Sequence, residues 1–418
     1  MSANWNSLFA DVGMPASALN GTAIRITGND PVLPTRFALA ETAASVLAAV
    51  GGMAAILWQS RGGASQRIDV DVQRTAAALN SFRYHRIVGG MDPAESFAAR
   101  DNGSTAIYKT RDGRFFHTHG SFNPDDMVSA LGVTDQTPAK IAAAVIQRNG
   151  LELEDEMAER GFCGAMIRSA QQWGEHPHGQ ALADSPLVEI IKIGDSPIEP
   201  LPPIALTAKA KPRPLSDIRV MDLTRVLAGP TCARTMAEHG ADVLRISSAG
   251  VPTFDFFDMD TGHGKRSAYL DLKKREEHAI LSELLSGADI FSEGYRPGVM
   301  DRLGFGPDAC HATRPGIVCV SINCYGYRGP FASRPGWEQL GQSVSGMAFE
   351  EGAPDAPRLV PAAACDYTTG YLAAFGALVA LRRRATEGGS YHVRVSLART
   401  GMWYLDQDRV GADVVLPG

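Results

Sequence analysis

One acidic residue, Asp366, stands where a short apolar run passes into a long apolar helix. The residues after it, Thr368, Thr369 and Gly370, are small, so a bulky ligand could approach the start of the helix. The free N–H groups and the positive dipole end of a helix N-terminus stabilise an anion. Aspartate is also a preferred N-cap residue. The pattern alone therefore makes Asp366 either a helix cap or a carboxylate available for chemistry.

The composition limits the classes of protein to consider. The chain has 418 residues, 44% of them hydrophobic, which is enough for two or three domains with large cores. A net charge of -6 implies no general nucleic-acid-binding surface. The six cysteines lack CxxC spacing, which predicts reduced core thiols in a cytoplasmic protein. We expect no signal peptide, and the apolar run Leu39–Trp58, which carries Glu41, is predicted to be a buried helix rather than a membrane span.

The first half of the chain divides into two parts. Residues 1–90 predict a helix over Leu39–Ser60 and then an alternating, half-buried strand over 66–72. Residues 91–195 predict a small α+β domain that begins with a hairpin over 105–119. Its histidines lack Cys or further His partners at ligand spacing, which favours strand and loop positions over metal ligands. They are His117, His119, His176 and His178.

The second half alternates strands and helices. A proline-rich linker over 196–215 leads into residues 216–418, where strands are separated by helices of about ten residues. This alternation predicts parallel β–α–β units and an α/β fold with a doubly wound, largely parallel Rossmann-like sheet. Ligands of such sheets bind beyond the carboxyl ends of the strands. Because no GxGxxG follows the first strand, a nicotinamide oxidoreductase is disfavoured.

A helix–strand module occurs twice in the sequence. A shift of 325 residues (366 − 41) aligns residues 41–75 with residues 366–400 without a gap. The matching glycines and the Arg-Thr pair that ends each copy are the most informative identities. Glu41 stands where the second copy has Asp366, so a carboxylate recurs at the helix start. We expect each copy to occupy a place in one large domain or in a dimer.

Four motifs of the second half succeed one another in the order of a known family. They are Val220-Met-Asp-Leu-Thr-Arg-Val-Leu-Ala-Gly-Pro230, Gly264-Lys-Arg-Ser267 with Leu270-Asp-Leu-Lys273, Glu293-Gly-Tyr-Arg-Pro-Gly298 with Arg302-Leu-Gly304, and Arg334-Pro-Gly-Trp-Glu338. In this order they resemble the family III CoA-transferases, the CaiB/BaiF family, and Asp366 falls on the catalytic aspartate of that family. The first 200 residues match more loosely and resemble the segment after the aspartate in a usual member. The resemblance therefore implies a rearranged domain order, with residues 216–418 as the CoA-binding domain and residues 1–90 contributing to it.

The resemblance also implies a reaction. Asp366 would attack the carbonyl of a donor acyl-CoA to form a mixed anhydride, the CoA thiolate would return to form an aspartyl-CoA thioester, and an acceptor acid would exchange in. The implied substrates are an acyl-CoA and a small carboxylic acid, with no permanently bound cofactor and no nucleic acid or membrane partner. Family members form interlocked homodimers. Trp337 and Glu338 stand at the positions of an active-site aromatic residue and acid, and Gln342 is a further candidate donor.

Carried over residue by residue, the resemblance also implies a CoA site. Its predicted residues are Leu227, Ala228, Leu270, Lys273, Gly294, Tyr295, Arg296 and Arg302. A solvated face is the competing interpretation for Lys273 and Arg302. Leu227 stands where transferases often carry Gln, and Gly294 replaces Asn, so two polar contacts are missing. The Asn102-Gly103-Ser104 turn is either a plain turn or a glycine loop over the active site.

Two other functions remain open. An acyl-CoA racemase or isomerase is disfavoured because Trp337 has no titratable proton and cannot be the base that His supplies at this position in racemases. A non-catalytic acyl-CoA-binding protein is compatible with the rearranged order and with the two missing polar contacts. A covalent adduct on Asp366 would distinguish a transferase from both.

Overall fold

The computed structural model describes residues 4–90, 92, 103–203 and 211–410. Residues 204–210 of the predicted linker and Asn102 of the predicted turn lie outside this part of the chain. The helices, in chain order, are α1 (Trp5–Asp11), α2 (Leu39–Ser60), α3 (Val72–Ala78), α4 (Pro124–Ala130), α5 (Pro138–Val145), α6 (Gly150–Glu159), α7 (Ala170–Glu175), α8 (Pro177–Ala183), α9 (Ala228–Glu238), α10 (Asp255–Thr261), α11 (Arg275–Ser286), α12 (Val299–Arg302), α13 (Pro307–Thr313), α14 (Glu338–Ser345), α15 (Met347–Glu351), α16 (Ala364–Glu387) and α17 (Leu397–Leu405). The strands are β1 (Ala23–Thr27), β2 (Arg67–Asp71), β3 (Ala106–Lys109), β4 (Phe115–His119), β5 (Cys163–Met166), β6 (Glu189–Gly194), β7 (Arg219–Asp222), β8 (Asp242–Ser247), β9 (Lys265–Tyr269), β10 (Ile290–Glu293), β11 (Val318–Asn323) and β12 (Ser390–Ser396).

Seven strands form the large sheet, in the order β6-β12-β11-β10-β7-β8-β9. All neighbouring pairs run parallel except β12 with β6, which is antiparallel. The predicted doubly wound, largely parallel sheet is therefore confirmed. The chain adds β8 and β9 on one side of β7 and then returns to add β10 and β11 on the other side. The gap between β7 and β10 is thus the topological switch point, where such sheets bind ligands.

The large sheet separates two hydrophobic cores. Neighbouring residues of a strand point to opposite faces, so Val220 lies in the larger core and Met221 in the smaller one. The larger core surrounds α16, whose apolar side chains are almost all buried. The smaller core packs Leu281 and Leu285 of α11 against the other face. Covering on both faces explains why the central strands β7, β10 and β11 are almost entirely buried.

A second, antiparallel sheet of order β3-β4-β5 forms in the small α+β region. The predicted hairpin is present, with Ala106 paired to Thr118 and Lys109 to Phe115. The helices α4, α5 and α6 supply a separate apolar core on this sheet. After this region the chain enters β6, which is the antiparallel edge strand of the large sheet.

The repeated module forms the same structure twice. The elements β1, α2 and β2 make one parallel β–α–β unit, and β11, α16 and β12 make the other. The two helices begin at Leu39 and Ala364, and β2 and β12 end at Asp71 and Ser396, both with the offset that aligns the sequences. Because α2 packs against α16, the two copies lie together within one chain.

The helices α2 and α16 are long and apolar enough to span a membrane by length and composition. In the most apolar stretch of each helix, 83% of α2 and 94% of α16 is buried inside the fold. Burial of this extent is typical of core helices in a soluble protein. The sequence predicted such a buried helix for the apolar run Leu39–Trp58, which lies in α2.

Candidate active site

Asp366 lines a cleft of about 380 Å³ beside the switch point of the large sheet. The N-cap of α16 is Ala363 rather than Asp366, so Asp366 lies in the first turn of the helix and is not its cap. Its carboxylate instead accepts the N–H of Ala228, the first residue of α9. The N-termini of two helices therefore face one carboxylate, an arrangement that favours its anion.

Eight of the predicted site residues line this cleft, and three do not. Those that line it are Leu227, Ala228, Gly294, Tyr295, Arg296, Trp337, Glu338 and Asp366. They meet because Leu227 follows β7, Gly294 follows β10, and these strands are neighbours. Leu270 is partly buried against the smaller core, and Lys273 and Arg302 are exposed outside the cleft.

Glu338 and Asp366 form a pair of neighbouring carboxyl groups. Glu338 is 4% exposed, and its Oε1 accepts the Gln342 Nε2–H at 2.7 Å and the Cys365 N–H at 3.2 Å. Burial raises the pKa of Glu338 to about 7. Burial, and then the charge of Glu338, raise the pKa of Asp366, while the bond from Ala228 opposes them. The two groups therefore titrate as a pair rather than separately.

Three arginines line the cleft. Arg334 pairs with Asp155 at 2.5 Å, and Arg225 lies over the ring of Phe122 at 4.6 Å. The guanidinium of Arg296 has no hydrogen-bond or ion-pair partner within the described part of the chain, and the residue is exposed. An anionic ligand in the cleft would therefore bind this guanidinium without displacing a protein partner.

The segment after β4 supplies an aromatic side chain of the cleft, Phe122, that the sequence did not predict. Trp337 stacks on His119 at 4.9 Å and meets Phe122 edge-on at 5.3 Å. Phe122 and Cys163 also line the cleft. No motif marked these two residues, because they come from a region remote in sequence. Arg225 and Arg334, by contrast, stand inside two of the four motifs, although no role was predicted for them.

The backbone that leads into α9 is strained at Val226, which has a φ of 72°. A β-branched residue rarely adopts this conformation, and strain of this kind tends to occur at functional sites. Val226 lines the cleft one residue before Leu227, and Asp366 accepts its hydrogen bond from the residue after Leu227. In the predicted glycine turn, Gly103 packs near Pro138 and is not among the residues that line the cleft.

Comparisons with known proteins show which families the chain is similar to. Residues 215–414 match the family model CoA-transferase family III. An acetyl-coenzyme A transferase of Hypoxylon pulicicidum is 34% identical over 321 residues, covering 72% of this chain and 54% of the relative. The beta subunit of the succinyl-CoA–L-malate CoA-transferase of Chloroflexus aurantiacus is 32% identical over 198 residues, covering 44% of this chain and 49% of the relative. The chain thus spans about half the length of these curated relatives.

A solved structure of a CaiB/BaiF family protein from Brucella suis is 27% identical, with a TM-score of 0.43, and covers 47% of this chain and 56% of that one. The family match covers six of the seven strands of the large sheet, all but β6, together with the switch point and Asp366. Residues 215–414, just under half of the chain, are therefore similar to CoA-transferase family III.

Proposed function

We propose that the protein transfers CoA between an acyl-CoA thioester and a carboxylic acid, with Asp366 as the nucleophile. The observation that carries the proposal is the position of Asp366: it lines a cleft at the switch point and accepts an N–H from α9, and seven of the ten other predicted site residues line the same cleft. The names of the relatives, all CoA-transferases, support the same class of reaction.

The reaction would proceed through three covalent intermediates on the same side chain. An Asp366 oxygen bonds to the acyl carbon, the C–S bond breaks, and the CoA thiolate leaves a mixed anhydride. The thiolate then attacks the Asp366 carboxyl carbon and releases the donor acid. An acceptor carboxylate attacks the resulting thioester, expels the thiolate and forms a second mixed anhydride with Asp366. The thiolate then attacks the acceptor's acyl carbon in this anhydride, which gives the new acyl-CoA and frees the Asp366 carboxylate. No proton or electron is gained or lost overall, so no permanently bound cofactor is needed.

The walls of the cleft suit the two parts of the substrate. Arg225 and Arg296 would meet the phosphates of CoA, because guanidinium groups match phosphate geometry. The rings of Trp337 and Phe122 would close around the acyl end and exclude water, which would otherwise hydrolyse the anhydride. We further propose a homodimer in the cytoplasm, and the six free, buried cysteines support a reducing compartment.

Trapping of the acyl-enzyme tests the proposal. The protein is incubated with a panel of acyl-CoA thioesters and then with hydroxylamine, and the peptide that contains Asp366 is analysed by mass. A hydroxamate on Asp366 supports the transferase. Bound CoA without an adduct across the whole panel would favour the non-catalytic binding protein. Deuterium uptake at the α-carbon without exchange of CoA would favour the racemase.

Glu338→Gln is expected to move the acid limb of the transfer rate to lower pH. The change removes the charge that raises the pKa of Asp366, yet its amide oxygen can still accept the bonds from Gln342 and Cys365. The measurement is single-turnover formation of the adduct from pH 5 to pH 9. An unchanged acid limb would show that the two carboxyls do not interact.

The free energy of unfolding of the same variant, measured against pH, provides a second test of the raised pKa of Glu338. The pKa of Glu338 is about 4.5 in the unfolded chain and about 7 in the folded one. The protonated carboxyl therefore stabilises the fold fully below pH 4.5, and this stabilisation is lost as the pH rises to about 7. Because glutamine does not ionise, Glu338→Gln does not lose stability as the pH rises. Its free energy of unfolding should therefore exceed that of the wild type at pH 8, by on the order of 2 kcal/mol, and the gain should shrink towards pH 5.

Gly294→Asn is expected to tighten CoA binding. A Cβ at this position would meet its nearest neighbours, Ile322 O and Thr224 Cβ, at 3.6 and 3.8 Å, which is ordinary contact. The added amide restores a polar group beside the cleft, and one hydrogen bond corresponds to a decrease in Kd of about fivefold. Calorimetry with CoA measures the change in Kd. Gly250→Asn, at an exposed position with open space around it, is the matched control, and an equal effect there would contradict the prediction.

A further inference from the structure

A second cavity, of about 220 Å³, lies behind the turn that lines the active-site cleft. Arg296 and Pro297 line both cavities, so this turn is the wall between them. On its far side the second cavity reaches one face of the large sheet. There Glu293 of β10, Ser321 of β11 and His392 of β12 lie close together.

The Glu293 carboxylate ties the turn to the sheet. Glu293 is 8% exposed, and its Oε2 accepts the Tyr295 N–H at 2.8 Å. The Tyr327 hydroxyl lies 3.4 Å from its Oε1, and the Ser321 hydroxyl also hydrogen-bonds to the carboxylate. Glu293 thus joins the backbone of the cleft wall to β11 and to the loop after β11.

Ser321 and His392 look at first like a nucleophile and its base, because Ser321 Oγ lies 2.8 Å from His392 Nε2. The direction of the hydrogen bonds excludes that role. Arg394 Nε–H donates to His392 Nδ1 at 3.2 Å, and burial lowers the pKa of His392 to about 3, so the ring is neutral. A neutral imidazole that accepts at one nitrogen carries its hydrogen on the other. His392 therefore donates to Ser321 and cannot take the serine proton.

We propose that Arg394, His392 and Ser321 form a one-way hydrogen-bond relay that holds the Glu293 carboxylate, which makes Glu293 the positioning residue for the CoA-binding turn at Gly294–Arg296. The cavity behind the turn is the reason that a holding group is needed, because it leaves room for the wall to move away from the cleft. The inference rests on the proposed CoA-transferase function.

The relay is expected to work above neutral pH. Burial raises the pKa of Glu293 to about 7, and a charged acceptor makes the stronger bond to the Tyr295 N–H. As the pH falls through 7, Glu293 takes up a proton and its hydrogen bond from the Tyr295 N–H weakens. The titratable and charged groups that face it are Tyr295, Arg296, Asp301, Cys319, Tyr327, His392 and Arg394.

Calorimetry with CoA on the full chain, at pH 6 and at pH 8, tests the proposal. Glu293→Gln should raise the Kd about tenfold at pH 8, the size of one lost charge-assisted bond, and change it little at pH 6. In turnover the loss should fall on KM, with kcat nearly unchanged, since the variant leaves Asp366 intact. A merely structural role would lower binding equally at both pH values and would overturn the proposal.

Three further measurements keep the test decisive. Ser321→Ala removes a single bond to Glu293 and serves if Glu293→Gln fails to fold; its expected effect has the same pH dependence. Asp301→Asn is the matched control: it lines the same cavity, and removing its like charge should move the midpoint to lower pH but preserve the dependence. A fluorophosphonate probe should leave Ser321 unlabelled, and labelling there would overturn the relay.

The outcomes for the two proposals differ. If the wild type binds no CoA at any pH, the proposed function fails, and this inference fails with it. If the wild type binds CoA and Glu293→Gln matches it in Kd at both pH values, only the relay is wrong.

Discussion

Asp366→Asn is expected to abolish CoA transfer while CoA still binds. An amide at this position cannot ionise or attack a thioester, so no acyl intermediate forms, and the rate should fall by about 10⁴-fold or more. The amide oxygen can still accept the Ala228 N–H, so the entrance to α9 should keep its geometry. Exchange of labelled CoA into an acyl-CoA pool measures the loss, and calorimetry measures the retained binding.

The sign of the stability change provides an internal check on this variant. Burial and the neighbouring Glu338 raise the pKa of Asp366, so its ionised form costs stability once the pH is above the unfolded value. Asp366→Asn should therefore melt at a higher temperature than the wild type at pH 8, with less gain at pH 5. A variant that loses transfer because it unfolds would melt lower instead.

Glu41→Gln is the matched control. Glu41 occupies the position equivalent to Asp366 in the first copy of the repeat, at the start of α2, and it does not line the cleft. Its Asp30 neighbour accepts the Glu41 backbone N–H at 2.9 Å, a bond that the substitution preserves. Transfer should be unchanged. Equal losses in Glu41→Gln and Asp366→Asn would mean that the carboxylate at 366 is not the nucleophile.

The sheet and most of the cleft could be predicted from local sequence patterns. Alternating strands and helices force parallel pairing, and parallel pairing brings the carboxyl ends of neighbouring strands to one edge. That geometry is why Leu227, Gly294 and Asp366 meet although they are far apart in sequence. The start of α16 was harder to predict, because Ala363 and Ala364 carry no capping signal and alanine is equally suited to continuing a helix.

The remaining parts of the site depend on packing between elements. Phe122 and Cys163 reach the cleft because the small sheet packs on α14, where His117 Nδ1 lies 2.8 Å from Ser343 Oγ. No spacing within either segment encodes that contact. The relay behind the wall likewise depends on register, which sets Glu293 opposite Ser321 and Ser321 opposite Arg394. A sequence fixes such register only after the order of the strands is known.

Lys265→Met is expected to destabilise the fold by about 3–5 kcal/mol, the usual cost of removing one partner of a buried ion pair. The Lys265 Nζ donates to Asp222 Oδ2 at 2.8 Å and to the Pro230 carbonyl at 2.9 Å. The side chains of Lys265 and Asp222 are 1% and 0% exposed. Without the ammonium, the Asp222 carboxylate stays buried, and in the described part of the chain its remaining hydrogen-bond donors are the N–H and the hydroxyl of Thr224. Urea unfolding followed by circular dichroism measures the change.

A second substitution distinguishes the lost charge pair from lost packing. Asp222→Asn in the Lys265→Met background removes the stranded charge but keeps an acceptor for Thr224, so it should recover most of the free energy of unfolding. Lys273→Met, at an exposed lysine later in the same segment of the chain, should change the free energy of unfolding by less than about 0.5 kcal/mol. Because the Lys265 ammonium also holds the first turn of α9, the single variant should weaken the Ala228–Asp366 contact as well. If the double variant is no more stable than the single one, the ion pair does not stabilise this fold.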